Sequence, residues 1–150
     1  MQWDIVVVEK NKKKLIRKLK AILFADVVGY SALMSEDEVA THHAVEELIA
    51  VFRQTIEANE GQIVQTSGDG LFALFDSAVN AVRSSIDSQK RVSDVNSKLD
   101  RQLEFRIGIN LGDVMVSDTT ANGDSINVAA RLEAIAEPGA VCISSAVYEQ

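Results

Sequence analysis

The chain has 150 residues, 47 % apolar and 25 % charged, with a net charge of −7. That length suits one compact domain with a sizeable core, and the balance excludes a mostly disordered chain, a collagen and a disulfide scaffold. No apolar run approaches the roughly 18 residues of a membrane-spanning helix, so no transmembrane segment is expected.

The N-terminus MQWDIVVVEK has its acid first and its bases after a short apolar stretch, which is the wrong order for a secretory signal. Residues 10–20 (KNKKKLIRKLK) hold seven of the 15 Lys and Arg and no acid, leaving eight bases against 22 acids elsewhere. With Leu15, Ile16 and Leu19 among its charges, the basic run reads as an amphipathic helical lead-in. It suits a solvated linker, or a contact with a partner helix, an acidic surface or a membrane face. Residues 1–20 are therefore set apart from a domain over 21–150. The acidic body lacks the broad basic surface that nucleic-acid binding needs. A nucleotide ligand remains compatible with it, because metal ions neutralise phosphates locally.

Residues 21–27 (AILFADV) read as a buried strand ended by Gly29. Ser35, followed by acids, reads as a helix start. Beyond it Val45, Leu48, Phe52 and Ile56 recur at helical spacing, one apolar face of a helix that stops before Gly61. Residues 62–66 and 71–75 flank Ser67-Gly68-Asp69-Gly70 and predict a hairpin. Asp76 or Ser77 caps the next helix, with Val79, Val82 and Ile86 on one face. Phe105–Ile109 and Val114–Val116 read as a second strand pair with Gly112-Asp113 between them. Residues 125–136 form a helix that ends before Glu137-Pro138-Gly139, and residues 141–143 a final strand. Cys142, the single cysteine, cannot form an internal disulfide and is expected in the core; a free thiol without a signal peptide points to the cytoplasm. Few helices and frequent hairpins predict an α+β sandwich, with helices packed on a mainly antiparallel sheet, close to the ferredoxin-like pattern.

Several residues in this frame carry chemistry. Asp26 closes an apolar strand, a place where acids rarely sit without a partner or a metal unless the strand end is open to water. Asp69 lies in a turn that favours Asp-Gly on conformational grounds alone. If the first strand lies beside the hairpin, the two carboxylates converge at one rim, which is how Mg²⁺ is held next to substrate phosphates. Asn127 and Arg131, four apart on a helix, share a face with Asp124, whereas Val128 and Leu132 point elsewhere. That face suits a solvated polar stripe, or an amide and a guanidinium aimed at a phosphate or ribose. His42 and His43 are adjacent on a helix and cannot chelate one ion together, and no other histidine exists. Zinc sites and Ser-His-Asp or Cys-His catalysis lack their parts.

The segments AILFADVVGYSALM, GQIVQTSGDGLFALFDSAVNAVR, FRIGINLGDVMV and NGDSINVAARLEAIAEPGAVCISSAVYE, in this order over residues 20–150, resemble class III nucleotidyl cyclases, in particular bacterial adenylate/guanylate cyclase catalytic domains. The resemblance implies conversion of ATP, or GTP, to the 3′,5′-cyclic monophosphate and pyrophosphate. It implies two divalent metal ions, Mg²⁺ or Mn²⁺, on Asp26 and Asp69, with the backbone of Val27 completing the metal shell. The stretch from Val28 through Gly29 and Tyr30 to Ser31 would lie under the triphosphate. Asn127 and Arg131 match the pair that orients the ribose and stabilises transition-state charge. It also implies a head-to-tail homodimer in which the aspartates come from one protomer and the Asn/Arg pair from the other.

Three departures from the family pattern stand out. The purine-selecting position, usually Lys or Glu, is Gln65, whose amide fits either base edge. Its partner position, often Asp or Thr, is Thr120, followed two residues later by Asn122 where an aromatic is frequent. The chain also stops at Gln150, where family domains continue through a last hairpin and a triphosphate-contacting lysine, so a C-terminally shortened fold is expected. The rival expectation is a catalytically degenerate domain that binds nucleotide or a partner as a regulatory or dimerisation module. The basic lead-in suggests an upstream regulatory domain or partner.

Overall fold

The computed structural model describes residues 15–117 and 120–150. Residues 10–14 of the basic run, and the N-terminal segment before them, lie outside the described residues.

Six strands form one mixed sheet. In chain order they are β1 (Ile16–Val27), β2 (Gln62–Thr66), β3 (Gly70–Phe75), β4 (Phe105–Val116), β5 (Ala121–Asn122) and β6 (Val141–Ile143). The spatial order is β2-β3-β1-β4-β5, and β6 pairs with β4 as well. Every pairing is antiparallel except β4 with β6. The helices are α1 (Tyr30–Glu36), α2 (Glu38–Ala58), α3 (Ala78–Asn96), α4 (Asp124–Ile135) and α5 (Ser145–Tyr148). The α+β sandwich with a mainly antiparallel sheet is thus the observed architecture.

Strand parity assigns the two faces, because successive side chains point to opposite sides. Odd-numbered β1 residues Ala21, Leu23, Ala25 and Val27 join Leu71, Ala73, Phe75, Phe105, Ile107 and Ile109. This main core is closed by Val45, Leu48, Phe52 and Ile56, the α2 face read from the sequence. Phe52 and Phe105 pack with their rings tilted by 52° and centroids 4.9 Å apart. Truncating a buried phenylalanine of this kind costs about 3–5 kcal/mol. Even-numbered Ile22 joins Phe72, Leu74, Val114 and Ala129 in a smaller cluster on the opposite face, with Phe24 and Ile126 against it.

Helix α4 reaches that second face through two glycines. A Cβ at Gly108 would lie 2.2 Å from the Glu133 backbone nitrogen and 2.6 Å from the Ala129 carbonyl oxygen. A Cβ at Gly112 would lie 2.1 Å from Ser125 Oγ. The helix therefore packs directly on the β4 backbone, and any larger residue would lift it off.

Five local expectations are corrected, and one open alternative is resolved. Residues 16–20 are strand, not helix: their backbone pairs with Gly112–Val116 of β4, and this ladder satisfies groups that a helix would have satisfied internally. Ser35 lies inside α1. The long helix starts instead at Asp37, whose side chain accepts a hydrogen bond from the Ala40 N–H at 3.0 Å. Ser77, not Asp76, caps α3, while Asp76 pairs with Lys20. The buried face of α3 is Ala78, Ala81, Ser84, Ser85, Ser88 and Val92, leaving Val79 42 % and Ile86 47 % exposed. Small residues win the inner face because α2 lies close, with the Thr55 and Ser88 hydroxyls bonded between the two helices. Finally, residues 105–116 are one continuous strand, because Gly112 is required by the approach of α4 and not by a turn. Cys142 is half-buried on β6, a strand at the sheet's margin, and not a full core residue.

Candidate active site

Asp26 is the last even-numbered residue of β1, so it projects from the α4 face after Ile22 and Phe24. Its register partners are Gly70 on β3 and Arg106 on β4. Asp69 precedes Gly70 in the hairpin loop, and its carbonyl accepts from the Val27 N–H at 2.9 Å. The loop is tied by Ser67, whose N–H donates to the Gly70 carbonyl at 2.9 Å and whose hydroxyl donates to Asp69 Oδ1 at 3.4 Å. These bonds hold the two carboxyls at one rim.

The chain leaves the rim through a defined path. The Val28 N–H donates to the Glu104 carbonyl at 2.9 Å. Gly29 then adopts φ 66°, the left-handed region that favours glycine, and α1 begins at Tyr30. The Tyr30 ring lies over the hairpin loop, with its hydroxyl 3.3 Å from where a Gly68 Cβ would stand. Tyr30 thus packs against the loop that carries Asp69.

The electrostatics at the rim are unfavourable to bare carboxylates. Asp26 is pushed up to about 7, first by burial, then by the hydrogen bond and charge of Asp69 and by the charge of Glu133; the Val27 N–H opposes the rise. Glu133, on the inner side of α4, is also raised, chiefly by burial, with the positive charge of Arg106 opposing it. Asp26 Oδ1 is buried without a hydrogen-bond partner, and so is Arg106 Nε. Two crowded carboxyls with an orphaned buried oxygen are a hard-oxygen donor set that fits Mg²⁺ or Mn²⁺. No group of three or more His, Cys, Asp or Glu among the described residues is arranged to hold a metal.

A groove of about 720 Å³ opens from Asp26 along the uncovered part of this face. Its lining includes Gln65, Thr120, Asn122 and Glu133, with Phe24 and Phe72 on its floor. That volume accommodates a nucleotide-sized ligand. Gln65 arrives there because β2 is an edge strand with an irregular register between Ile63 and Gln65. The Thr120 hydroxyl bonds to that of Ser117 at 2.7 Å.

Asn127 and Arg131 stand elsewhere. Ile126, Ala130 and Glu133 of α4 line the groove and Ala129 packs on the sheet, which leaves Asn127 and Arg131 exposed on the outer side. Val128 is exposed as well. The sequence reading expects Asp26 and Asp69 to converge at one rim; in the structure Asp69 lies beside Asp26, and Asp26, Gln65 and Thr120 line one groove. The structure separates the Asn/Arg pair from them within a single chain. Glu133 and Arg106 were missed. Glu133 follows Ile126 and Ala129 at helical spacing on the inner face, which was the available signal; Arg106 became visible only through the β1–β4 register.

The sandwich thus carries paired carboxyls on one rim, beside a nucleotide-sized groove. Residues 17–150 match the adenylate and guanylate cyclase catalytic domain, and the chain belongs to that family. "Putative adenylate cyclase 3" of Rhizobium meliloti is 43 % identical over 144 residues, covering 92 % of this chain and 24 % of that protein. An adenylate cyclase of Streptomyces coelicolor is 27 % identical, covering 97 % of this chain and 37 % of that protein. The chain thus spans well under half the length of these relatives. Among solved structures, the adenylate/guanylate cyclase/hydrolase from Silicibacter pomeroyi superposes with a TM-score of 0.76 at 41 % identity, over 89 % of this chain and 79 % of that one. No described helix is long and apolar enough to cross a membrane.

Proposed function

We propose that this chain is the catalytic domain of a nucleotidyl cyclase that converts ATP, with GTP as the alternative, to the 3′,5′-cyclic monophosphate and pyrophosphate. The site is shared across a head-to-tail homodimer. The observation that carries this reading is a separation within one chain: Asp26 borders the groove with Asp69 beside it, while Asn127 and Arg131 face outward on α4, open to a second copy. The adenylate cyclase names of the relatives favour ATP.

In this reading Asp26 and Asp69 hold two divalent cations, joined by the Val27 backbone. Bound there, the cations would supply Lewis acidity toward the ribose 3′-hydroxyl and the α-phosphate. Gly29, Tyr30 and Ser31 border the triphosphate, and the absence of a side chain at Gly29 leaves the backbone open to it. Gln65 and Thr120 meet the purine edge, with the Gln65 amide donating or accepting as the base requires. From the partner, Asn127 orients the ribose and Arg131 places its guanidinium against the charge that develops on the phosphoryl oxygens. Positioning and electrostatics of this kind carry phosphoryl-transfer catalysis.

The test is cyclic nucleotide production by the purified protein, with ATP and GTP in parallel and with Mn²⁺ and Mg²⁺ each, over a wide protein concentration range. Product rising faster than linearly with protein supports a dimeric cyclase. Nucleotide binding without product at any concentration instead supports the regulatory module.

A further inference from the structure

Strand β4 ends at Val116 and β5 starts at Ala121, and these two residues are register partners. Ser117 and Thr120 adjoin that pair, and three hydrogen bonds join them. The Ser117 N–H donates to the Thr120 carbonyl at 2.9 Å. The Thr120 N–H donates to Ser117 Oγ at 3.2 Å, and the two hydroxyls bond to each other at 2.7 Å. The first bond is a backbone closure that any residue with an N–H makes here. The other two exist only because residue 117 carries a hydroxyl.

Thr120 lines the groove that opens from Asp26, and Ser117 does not. Ser117 therefore acts on the groove through Thr120. An exposed hydroxyl ordinarily rotates to suit the surrounding water. Threonine is stiff at χ1, so a partner on Oγ1 selects one rotamer and sets where the hydroxyl stands. The bond between the hydroxyls can nevertheless run in either sense. With Ser117 donating, the Thr120 hydrogen is free to donate into the groove. With Thr120 donating, its oxygen keeps a lone pair free to accept. Position 6 of a purine carries an amino donor in adenine and a carbonyl acceptor in guanine. A hydroxyl fixed in place and reversible in sense matches both.

We propose that Ser117 is a positioning residue that fixes the Thr120 hydroxyl in the groove against the 6-substituent of the purine. This rests on the reading of Thr120 as a contact to the base. A side chain already held in its bound rotamer spares the ordering cost of binding.

The test compares kcat/KM for a natural nucleotide with that for the same nucleotide lacking its 6-substituent. The pairs are ATP against purine riboside triphosphate and GTP against 2-aminopurine riboside triphosphate, used with the full chain and Mn²⁺. Thermal melting checks folding. Ser117→Ala keeps the backbone closure and is expected to lower kcat/KM for the natural nucleotide by about threefold to tenfold, mostly through KM, the size of one hydrogen bond. The analogue should be used as well as by wild type. Ser117→Thr, which keeps a hydroxyl, should recover the preference. Thr120→Val should lose it, and Ser117→Ala added to Thr120→Val should cost nothing further. A merely structural role of Ser117 lowers natural nucleotide and analogue alike, and that result would overturn the proposal, as would an unchanged preference in Ser117→Ala or losses that add to those of Thr120→Val. If Ser117→Ala does not fold, Ser117→Cys takes its place, because a thiol is a weak hydrogen-bonding partner. If Thr120→Val loses the preference while Ser117→Ala behaves as wild type, the proposal alone falls. If wild type does not distinguish nucleotide from analogue, or Thr120→Val leaves the distinction intact, the reading of Thr120 falls and takes the proposal with it. Wild type that forms no cyclic nucleotide from ATP or GTP removes the cyclase reading and the proposal together.

Discussion

Gly70 faces Asp26 across the β1–β3 ladder with no room between them. A Cβ at Gly70 would stand 2.6 Å from the Ala25 carbonyl oxygen and 3.2 Å from Asp26 Oδ1. The residue that follows Asp69 is thus held to glycine by the close approach of β1 and β3 at this point. Gly70→Ala must displace backbone, and overpacking of this kind costs about 1–3 kcal/mol. The urea midpoint should fall accordingly, and Mn²⁺ binding should fall with it, because the displacement parts Asp26 from Asp69.

The raised Asp26 makes stability depend on pH in a defined direction. Its carboxyl moves from an ordinary 3.8 to about 7 in the fold, so the folded chain binds a proton that the unfolded chain has released over that interval. Stability is therefore highest below about pH 4 for this group and is lost as pH rises toward 7. In metal-free protein the melting temperature should fall from pH 5 to pH 8, and fall less in Asp26→Asn. Mn²⁺ affinity should run the other way, rising over the same interval as the proton leaves. An Asp26→Asn variant with the wild-type slope would contradict the assignment of this titration to Asp26.

Asn127 and Arg131 are exposed and make no hydrogen bond or ion pair among the described residues that the fold depends on. Exposed substitutions of this type usually change stability by about 0.5 kcal/mol or less. Asn127→Ala and Arg131→Ala should melt like wild type and still lose most cyclic nucleotide production. A loss of stability matching the loss of turnover would mean that the pair is structural.

Gln65 lines the groove from an exposed edge strand, so its side chain can be changed without disturbing the core. Gln65→Lys should favour ATP over GTP and Gln65→Glu the reverse, read as the ratio of kcat/KM for the two nucleotides. An unchanged ratio in both variants would remove Gln65 from base selection.

Much of the fold was legible because its signals are local. The apolar face of α2 follows from the spacing of Val45, Leu48, Phe52 and Ile56, and the β2–β3 hairpin from Ser67-Gly68-Asp69-Gly70. The errors arose where a distant element decided the outcome. Gly112 resembles a turn glycine until Ser125 is seen against it. The Val79–Val82–Ile86 stripe resembles a core face until α2 claims the small residues beside it. Ile16–Lys20 shows no strand signal of its own and is drawn into β1 by pairing with β4. At the site, Asp26 and Asp69 were legible as acids in unusual places. Glu133 and Arg106 were not, because their relation to Asp26 is a matter of register and helix seating, neither of which local sequence encodes.

The most direct test of the shared site is complementation between two inactive variants. Asp26→Ala removes the proposed metal-binding carboxyl of its own chain and keeps the Asn127/Arg131 pair; Arg131→Ala keeps both aspartates and loses the guanidinium. Alone, each should form essentially no cyclic nucleotide. Mixed, they should recover activity, since one of the two sites in a mixed dimer then receives intact residues from both chains. Recovery at a level set by the fraction of mixed dimers is the predicted result. If both variants fold and associate and the mixture stays as inactive as its components, or if Asp26→Ala alone turns over like wild type, a site built from two copies of this chain is contradicted.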